Sequence, residues 1–353
     1  MSKIKRSLAI VIGIDRYQHI PQLKNAVSDA VELARVLKNL YSYEVLLLLN
    51  RRATKTELDR LVANLKNKTI PFDNKKIKVE KSDRLLFYFA GHGFAEEAQD
   101  SEAGKPAGYF MPQDAEADNK NTGLSMHEVY EALSSLDSHH LLMILDCCFA
   151  GRFSWIGQGR NAARSRQLYR QNYDRFIKHR TEQIITSAAH DEEAQDLSRF
   201  GQRGEKNGNS PFAHLLLKVL QGNSDGGRDK AIEAIVEDKI ITVQELFTYL
   251  QNELGKVAQG QTPGLAQPRK YDIKTGEYVY LKGEYIFPLP KFNPENLKKL
   301  KLDKNSNPYK GLASFETEDT QLFYGRKTLS EKLGEIVNKQ PLTIVLGASG
   351  SGK

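Results

Sequence analysis

The sequence has few of the features that mark secreted or membrane proteins. Only two of its 353 residues are cysteines, Cys147 and Cys148, and they are neighbours. Adjacent cysteines rarely form a strain-free disulfide, so a disulfide-built scaffold is excluded and a reducing compartment is indicated. No apolar run approaches the roughly 20 residues of a transmembrane helix, and the apolar stretch after Arg6 ends at Asp15 without a small-residue cleavage site. We therefore predict a soluble, cytoplasmic protein that has no membrane partner.

Basic residues are in slight excess, and much of the excess is local. The 51 Lys and Arg against 44 Asp and Glu give a formal net charge of +7. Eight basic residues and a single acid, Asp174, fall between Arg152 and Arg180. Because no recognition motif or aromatic–basic pattern accompanies this charge, we predict no nucleic-acid partner. Hydrophobic residues make up 40% of the chain, which is enough to form a buried core.

Apolar runs alternate with helical patterns over the first two thirds of the chain. Helical spacing covers 25–40, and capping patterns that begin at Thr54, Ser125 and Thr242 predict further helix starts. This alternation predicts an α/β fold, a doubly wound and mostly parallel sheet flanked by helices. The predicted strands are 8–14, 45–49, 85–90, 141–146 and 183–186.

The composition changes near residue 287 and divides the chain into two predicted domains. Residues 1–287 form the first, 288–306 a proline- and lysine-containing linker, and 307–353 the start of the second. Within the first domain, residues 151–180 are basic and without apolar periodicity, so we predict a long loop that is functional or mobile.

The second domain ends in a phosphate-binding motif. The apolar strand 342–346 precedes Gly-x-x-x-x-Gly-Lys, the Walker A loop. The chain stops at the motif's lysine, before the Ser or Thr that holds magnesium and before the helix that faces the phosphates. We expect a piece of a longer protein that binds ATP and Mg²⁺ only at full length, so this chain should not hydrolyse ATP. The predicted nucleotide-binding residues are Gly347, Gly350, Ser351, Gly352 and Lys353.

Two predicted strands end in residues suited to nucleophilic catalysis. His92, between two glycines, follows the third strand, and Cys148 follows the fourth, 56 residues later. Chemistry in open α/β sheets sits at the carboxyl ends of strands. There, an imidazole activates a thiol and later protonates the leaving amine. The backbone N–H groups of Gly93 and Cys148 are candidates for an oxyanion hole, and neighbouring glycines let substrate backbone approach closely. Side chains alternate along a strand, so Cys147 should point away from Cys148.

These motifs resemble the metacaspases, which are caspase-like cysteine peptidases. The resemblance spans about residues 7–285 and implies the caspase-like fold, with Cys148 as nucleophile and His92 as acid and base. It also implies a large-subunit part at about 1–151, a basic loop at about 152–181 and a small-subunit part at about 182–287. The matching blocks are Gly13-Ile14-Asp15-Arg16-Tyr17, Leu23 to Ala30, Gly91-His92-Gly93, Asp146-Cys147-Cys148-Phe149-Ala150-Gly151, Ile185 to Ala189 and Ser210-Pro211-Phe212-Ala213. Phe149, Ala150 and Ala26 depart from the family's usual His, Ser and Cys.

The same resemblance implies the specificity of the site. Asp29 and Asp146 would line the first specificity pocket, where two carboxylates select Arg or Lys in a protein or peptide substrate. It implies no third member of a catalytic triad, and the chemistry needs no cofactor. Self-cleavage in the basic loop is a hypothesis, with Arg160, Arg164, Arg166 and Arg170 as candidate sites. Calcium is a candidate activator, although no defined calcium loop holds the nearby acids Asp114, Asp118, Asp191, Glu192 and Glu193.

The second domain resembles the entry to a STAND-type signalling NTPase. Asn307-Pro308-Tyr309-Lys310-Gly311-Leu312 and Phe323-Tyr324-Gly325-Arg326 carry this resemblance together with the phosphate loop. It implies a nucleotide-gated switch that self-associates. We interpret the chain as a bacterial caspase-like effector, an endopeptidase that cleaves after Arg or Lys. By family analogy alone it acts in regulated proteolysis, cell death or antiphage defence.

Three alternatives remain open at the level of sequence. The first is a catalytically silent, caspase-like adaptor, and the second is a regulatory domain of an ATP-driven STAND switch. The third is a metal site built from the two thiols with His92, His139 and His140, although zinc sites want cysteines two to four residues apart. We therefore assign no metal-ligating residues, and calcium stays a candidate activator only.

Overall fold

A computed structural model describes the molecule over residues 4–73, 75–95, 108–117, 119–147, 168–188, 208–222, 229–258, 261–272, 276–299 and 327–339. The chain divides into two compact units, Met1–Lys298 and Lys299–Lys353. Residues 288–298, predicted as the start of the linker, lie within the first unit. None of the described helices is long and apolar enough to cross a membrane.

The described elements are numbered in chain order. The helices are α1 (Ala26–Tyr41), α2 (Lys55–Lys66), α3 (Met126–Ser134), α4 (Arg170–Lys178), α5 (Pro211–Gln221), α6 (Lys230–Val236), α7 (Val243–Val257) and, in the second unit, α8 (Lys327–Lys339). The strands are β1 (Arg6–Gly13), β2 (Glu44–Leu49), β3 (Thr69–Phe72), β4 (Lys75–Lys78), β5 (Asp83–Ala90), β6 (Gly93–Ala95), β7 (Gly108–Phe110), β8 (Leu124–Ser125), β9 (His140–Asp146), β10 (Thr181–Thr186), β11 (Ile240–Thr242), β12 (Gly264–Ala266), β13 (Arg269–Asp272), β14 (Glu277–Tyr280) and β15 (Ile286–Pro288).

A six-stranded sheet organises the first unit. Its strand order is β12-β10-β9-β5-β1-β2, and all neighbouring strands are parallel except β12, which runs antiparallel to β10. The predicted doubly wound, mostly parallel sheet is therefore confirmed, with all five predicted strands in it. The edge strand β12 and the small antiparallel sheets were not predicted, because strands of two to four residues carry too little alternation to be read from sequence.

Helices cover both faces of the sheet, which explains why its strands read as continuous apolar runs. Along β1, Leu8 and Ile10 pack with residues of α2 and α3, whereas Ala9 and Val11 pack with α1, α5 and α7. Strand β5 is buried along its whole length. A parallel sheet covered on both sides leaves no polar face, so alternation disappears from the sequence. Each large apolar side chain buried this way contributes about 1.5–3 kcal/mol relative to exposure.

The predicted helix starts are confirmed by their hydrogen bonds. The side chains of Thr54, Ser125 and Thr242 each accept a bond from the backbone N–H three residues later. Only Thr242 has the full reciprocal box, since Glu245 also accepts from the Thr242 N–H at 3.0 Å. These caps satisfy N–H groups that a helix leaves unpaired at its start.

The basic segment predicted as a loop contains a helix, α4. Tyr173, Phe176 and Ile177 lie three and four residues apart and pack against a buried cluster that includes Leu168 and Ile286. The prediction of no apolar periodicity was therefore wrong for 170–178. These three apolar side chains form a narrow stripe among charged residues, too weak to be recognised from the sequence. Much of the stability of α4 comes from packing against residues such as Ile286, which lies more than 100 residues away in the sequence.

Substitution of Gly13 tests how closely α1 approaches the sheet, and Gly255 in α7 provides the control. A Cβ on Gly13 would stand 2.6 Å from Ala30 Cβ and 2.7 Å from the Ala26 carbonyl, whereas nothing lies within 4 Å of one on Gly255, which is exposed in α7. Gly13→Ala should lower the free energy of unfolding by about 1–3 kcal/mol through overpacking. Gly255→Ala should raise it by about 0.5–1 kcal/mol through helix propensity. Urea unfolding of both variants checks this, and equal effects would contradict the packing described here.

Candidate active site

The strands that precede the predicted catalytic residues, β5 and β9, end side by side at one edge of the sheet. Ala90 pairs with Asp146, and the Gly91 N–H donates to the Asp146 carbonyl at 3.3 Å. His92 follows β5 by two residues and is half-buried. Cys148, which lies outside the described residues, follows Asp146 by the same number. Cys147 is buried on the α2–α3 face of the sheet, in agreement with a structural role.

The loop between β1 and α1 orients the imidazole of His92. Nε2 lies 2.9 Å from the Pro21 carbonyl, and the ring of Tyr17 lies 4.9 Å from the imidazole, centroid to centroid. A carbonyl can only accept, so Nε2 carries a proton, and in the neutral imidazole Nδ1 therefore presents its lone pair. The sequence indicated no third triad member, and no side chain fills that place among the described contacts. A backbone carbonyl, that of Pro21, contacts the imidazole instead.

The glycines on either side of His92 have different reasons to be glycine. A Cβ on Gly91 would stand 2.6 Å from the Tyr17 hydroxyl, and that hydroxyl accepts the His92 N–H at 2.7 Å. Gly91 therefore makes room for the Tyr17 hydroxyl, and the approach of substrate backbone to these glycines stays a prediction.

Gly93 is in a position to donate its backbone N–H to a ligand. It pairs with Phe110 in the antiparallel ladder of β6 and β7, and the Met111 N–H donates to the His92 carbonyl at 3.0 Å. That bond flanks the pair, so Gly93 and Phe110 form a non-hydrogen-bonded pair. The Gly93 N–H consequently points away from β7. This direction is compatible with the predicted oxyanion hole, whose other donor, Cys148, is outside the described residues.

The two carboxylates predicted for the specificity pocket converge on one serine. The Ser210 hydroxyl donates to Asp146 Oδ2 at 2.8 Å, and the Ser210 N–H donates to Asp29 Oδ1 at 3.1 Å. The Asn209 side-chain amide also donates to Asp29 Oδ1, at 2.7 Å. Asp29 is 1% exposed and Asp146 is 8% exposed. Ser210 and Asn209 were not among the predicted site residues. Only the resemblance of the Ser210-Pro211-Phe212-Ala213 block pointed to this segment.

Burial makes the charge on this pair costly. Desolvation raises the pKa of Asp29 well above its ordinary value, and the nearby charge of Asp146 raises it further, whereas the bonds from Asn209 and Ser210 lower it. Burial and the same two carboxylates also raise the pKa of Tyr88. Two buried carboxylates placed this close together form a site that gains from a bound cation.

The candidate self-cleavage sites differ in their surroundings. Arg170 begins α4, its guanidinium pairs with Asp174 at 2.9 Å and Glu295 at 2.8 Å, and its side chain is 14% exposed. A peptidase takes its substrate in extended form, so a paired residue in a helical first turn is a poor site. Arg160, Arg164 and Arg166 lie outside the described residues.

The described part of the chain offers no metal site. It contains no group of three or more His, Cys, Asp or Glu side chains that could hold an ion. His139 and His140 lie at the amino end of β9 and Cys147 just past its carboxyl end, so the proposed thiol–histidine cluster is wrong for this pair of histidines. Asp114, a candidate calcium ligand, accepts the Lys55 N–H at the start of α2. The other calcium candidates, and the phosphate-loop residues 347–353, lie outside the described segments.

Comparison with known families agrees with this geometry. The family model of the caspase domain, peptidase C14, matches residues 6–271. The chain belongs to this family. Its caspase domain is therefore that of a family of cysteine peptidases, as the histidine and cysteine motifs indicated. The model described as Novel STAND NTPase 1 matches residues 308–353, so the second predicted resemblance is confirmed as well. A search of curated proteins found no match.

Because burial disfavours the charged form of Asp29, we expect Asp29→Asn to stabilise the protein in a pH-dependent way. A carboxyl whose pKa is raised by folding stabilises the fold while protonated, and this contribution is lost as pH rises through the raised pKa. Asp29→Asn keeps an acceptor for Ser210 and Asn209 but does not ionise. Its melting temperature should therefore match wild type at about pH 4 and exceed it at about pH 8.

The control is Asp137→Asn, which should behave in the opposite sense. Asp137 is exposed, and its hydrogen bond with Lys68 lowers its pKa. Its contribution is present at neutral pH and lost as pH falls, so the variant should be equal to or slightly less stable than wild type at about pH 8. Thermal unfolding followed by circular dichroism measures both. If Asp29→Asn is less stable than wild type at that pH, the charge of Asp29 stabilises the fold and the prediction is wrong.

Proposed function

We propose that the caspase domain is a cysteine endopeptidase that cleaves peptide bonds after Arg or Lys, with Cys148 as nucleophile and His92 as acid and base. The observation that carries this is the register of β5 and β9. Because Ala90 pairs with Asp146, His92 and Cys148 each follow a paired position by two residues, on adjacent strands. Adjacent strands lie about 4.8 Å apart, within the range that side chains of this pair can bridge.

The orientation of His92 supports the direction of proton transfer. With Nε2–H bound to the Pro21 carbonyl, Nδ1 takes the proton from the Cys148 thiol. The thiolate sulfur then bonds to the scissile carbonyl carbon, and the N–H groups of Gly93 and Cys148 stabilise the oxyanion. Collapse breaks the C–N bond, and the imidazolium gives its proton to the leaving amine. Water, deprotonated by His92, hydrolyses the thioester and restores the thiol with a free carboxylate.

The acidic pair supports selection of a basic residue before the cleaved bond. Asp29 and Asp146 are both buried, and they lie close enough that the charge of Asp146 raises the pKa of Asp29. A guanidinium carries five N–H donors and can replace the Asn209 amide at Asp29, and its positive charge reduces the repulsion between the two carboxylates. An ammonium provides the charge with fewer donors, so Arg should be the better substrate and Lys the second.

Nucleotide control is proposed from the second family match. Residues 308–353 match a STAND NTPase, and the Walker A motif ends at Lys353. We propose that the peptidase is the effector of a nucleotide-gated, self-associating protein, and that ATP and Mg²⁺ are ligands of its STAND NTPase domain. Regulated proteolysis, cell death or antiphage defence is the role that such an arrangement serves.

Cleavage of fluorogenic peptides tests the nucleophile and the pocket together. Peptides that end in Arg, Lys, citrulline or Asp are compared, with and without calcium. Arg and Lys peptides should be cleaved. Citrulline, a neutral isostere of Arg, and Asp should not, because only a cation offsets the buried carboxylates. Cys148→Ala should reduce turnover by about 10³-fold or more, whereas the matched Cys147→Ala should retain it. Cleavage after Asp, or activity that survives Cys148→Ala, would contradict the proposal.

Self-cleavage is tested on the purified protein by gel and mass spectrometry. Wild type should yield two fragments cut after Arg160, Arg164 or Arg166, because these residues precede α4 in the basic segment. The triple change of these residues to Gln should stay intact. Arg170→Gln is the control and should still be cut, because Arg170 is paired at the start of α4. A wild type that remains one band while it cleaves an Arg reporter would rule self-cleavage out.

A further inference from the structure

Ser210 lies where three separate parts of the caspase domain meet. Asp29 belongs to α1, Asp146 ends β9, and Ser210 precedes the first residue of α5. The serine is 5% exposed, and it bonds to both carboxylates, through its backbone N–H and its hydroxyl respectively. Ser210 therefore connects the two acids of the proposed pocket directly.

The direction of the Ser210 hydroxyl proton follows from its second bond. Oγ accepts the Ala213 N–H at 3.1 Å, which is the N-terminal capping bond of α5. A hydroxyl has one proton, and Asp146 Oδ2 lies 2.8 Å from Oγ, so that proton is donated to Asp146. The capping bond thus aims the hydroxyl at the carboxylate, and α5 presents its positive end to a pair of negative groups.

Packing of α5 holds Ser210 in this place. Phe212, Leu216 and Leu220 are buried in the core layer that also contains Ala30 and Leu33 of α1. The helix start is therefore supported by the same hydrophobic contacts that hold α1 against the sheet. A side chain whose backbone and rotamer are fixed in this way can set the geometry of its neighbours.

We propose that Ser210 is a positioning residue of the specificity pocket, which orients Asp29 and Asp146 for the cation of the substrate. The inference rests on the proposed Arg and Lys specificity and adds the group that builds it. Without the hydroxyl, Asp29 keeps its two N–H donors, whereas Asp146 loses the donor from Ser210. Asp146 is then less well oriented, so affinity for the cation falls while the chemistry at Cys148 is unaffected.

The first experiment separates binding from catalysis. In an otherwise wild-type chain, Ser210→Ala should raise KM for an Arg reporter about tenfold, the effect of losing one hydrogen bond to a charged group, with kcat little changed. Ser210→Gly lacks the hydroxyl but is a good N-cap, so it should show the same KM at nearly wild-type stability. Ser210→Thr keeps a capping hydroxyl and should restore KM to within about threefold.

The matched control is Ser125→Ala, which removes an equivalent cap at the start of α3. It should lose a similar amount of stability with no change in KM. If Ser210→Gly and Ser210→Ala keep the wild-type KM, or if Ser125→Ala raises KM equally, Ser210 acts only as a helix cap and the inference is overturned.

A binding measurement distinguishes this failure from failure of the proposed function. Calorimetry with agmatine, which carries the guanidinium side chain alone, is made in the Cys148→Ala background. Binding to that protein, weakened about tenfold by Ser210→Gly, supports the inference without any need for turnover. Binding that Ser210→Gly leaves unchanged overturns it. If agmatine does not bind and wild type does not cleave the Arg reporter, the proposed specificity for Arg and Lys is wrong, and the proposed role of Ser210 fails with it.

Discussion

The parallel pairing of β5 with β9 is the constraint on which the rest of the site depends. Its register places Ala90 beside Asp146 and so brings two chain segments, more than 50 residues apart, to the same edge of the sheet. Side-chain alternation then separates their roles. Asp146 faces the α1–α5 side, where Asp29 lies, whereas Cys147 is buried on the α2–α3 side. A slip of one residue would exchange these faces, which is why a sheet buried on both sides defines the site so strictly.

The site combines a firmly held imidazole, that of His92, with two buried carboxylates whose charges are unfavourable for stability. The imidazole is held by the carbonyl of Pro21 and the ring of Tyr17, both from the loop that follows β1. The carboxylates are held by Ser210 and Asn209 at the start of α5. Natural proteins keep buried like charges mainly where function requires them, since apolar or neutral groups would pack there at lower cost. Under the proposed specificity, stability favours a neutral Asp29, whereas binding of a substrate cation favours a charged one.

Prediction from the sequence succeeded where a signal is local and strong. Continuous apolar runs identified all five parallel strands, and capping residues such as Thr54 and Thr242 marked helix starts. It failed where stability comes from distant partners. Helix α4 depends on a cluster completed by Ile286 and Leu297, and β12 is three residues that pair only because β10 has an open edge. The reason for Gly91 was also hidden, because the Tyr17 hydroxyl that excludes a side chain lies 74 residues earlier.

By itself the sequence determined the fold class, the family and the chemical types at the strand ends, because these follow from hydrophobic pattern and from short motifs next to each other in the chain. Only the tertiary structure decided how those groups are held. The Pro21 carbonyl selects the tautomer of His92. Ser210, 64 residues after Asp146, connects Asp146 to Asp29. Such contacts join segments with no local relation, and their geometry is set by the packing of α1 and α5 on one face of the sheet. The types of reactive group could therefore be predicted from the sequence, whereas the positions of their side chains depend on the packing of the core.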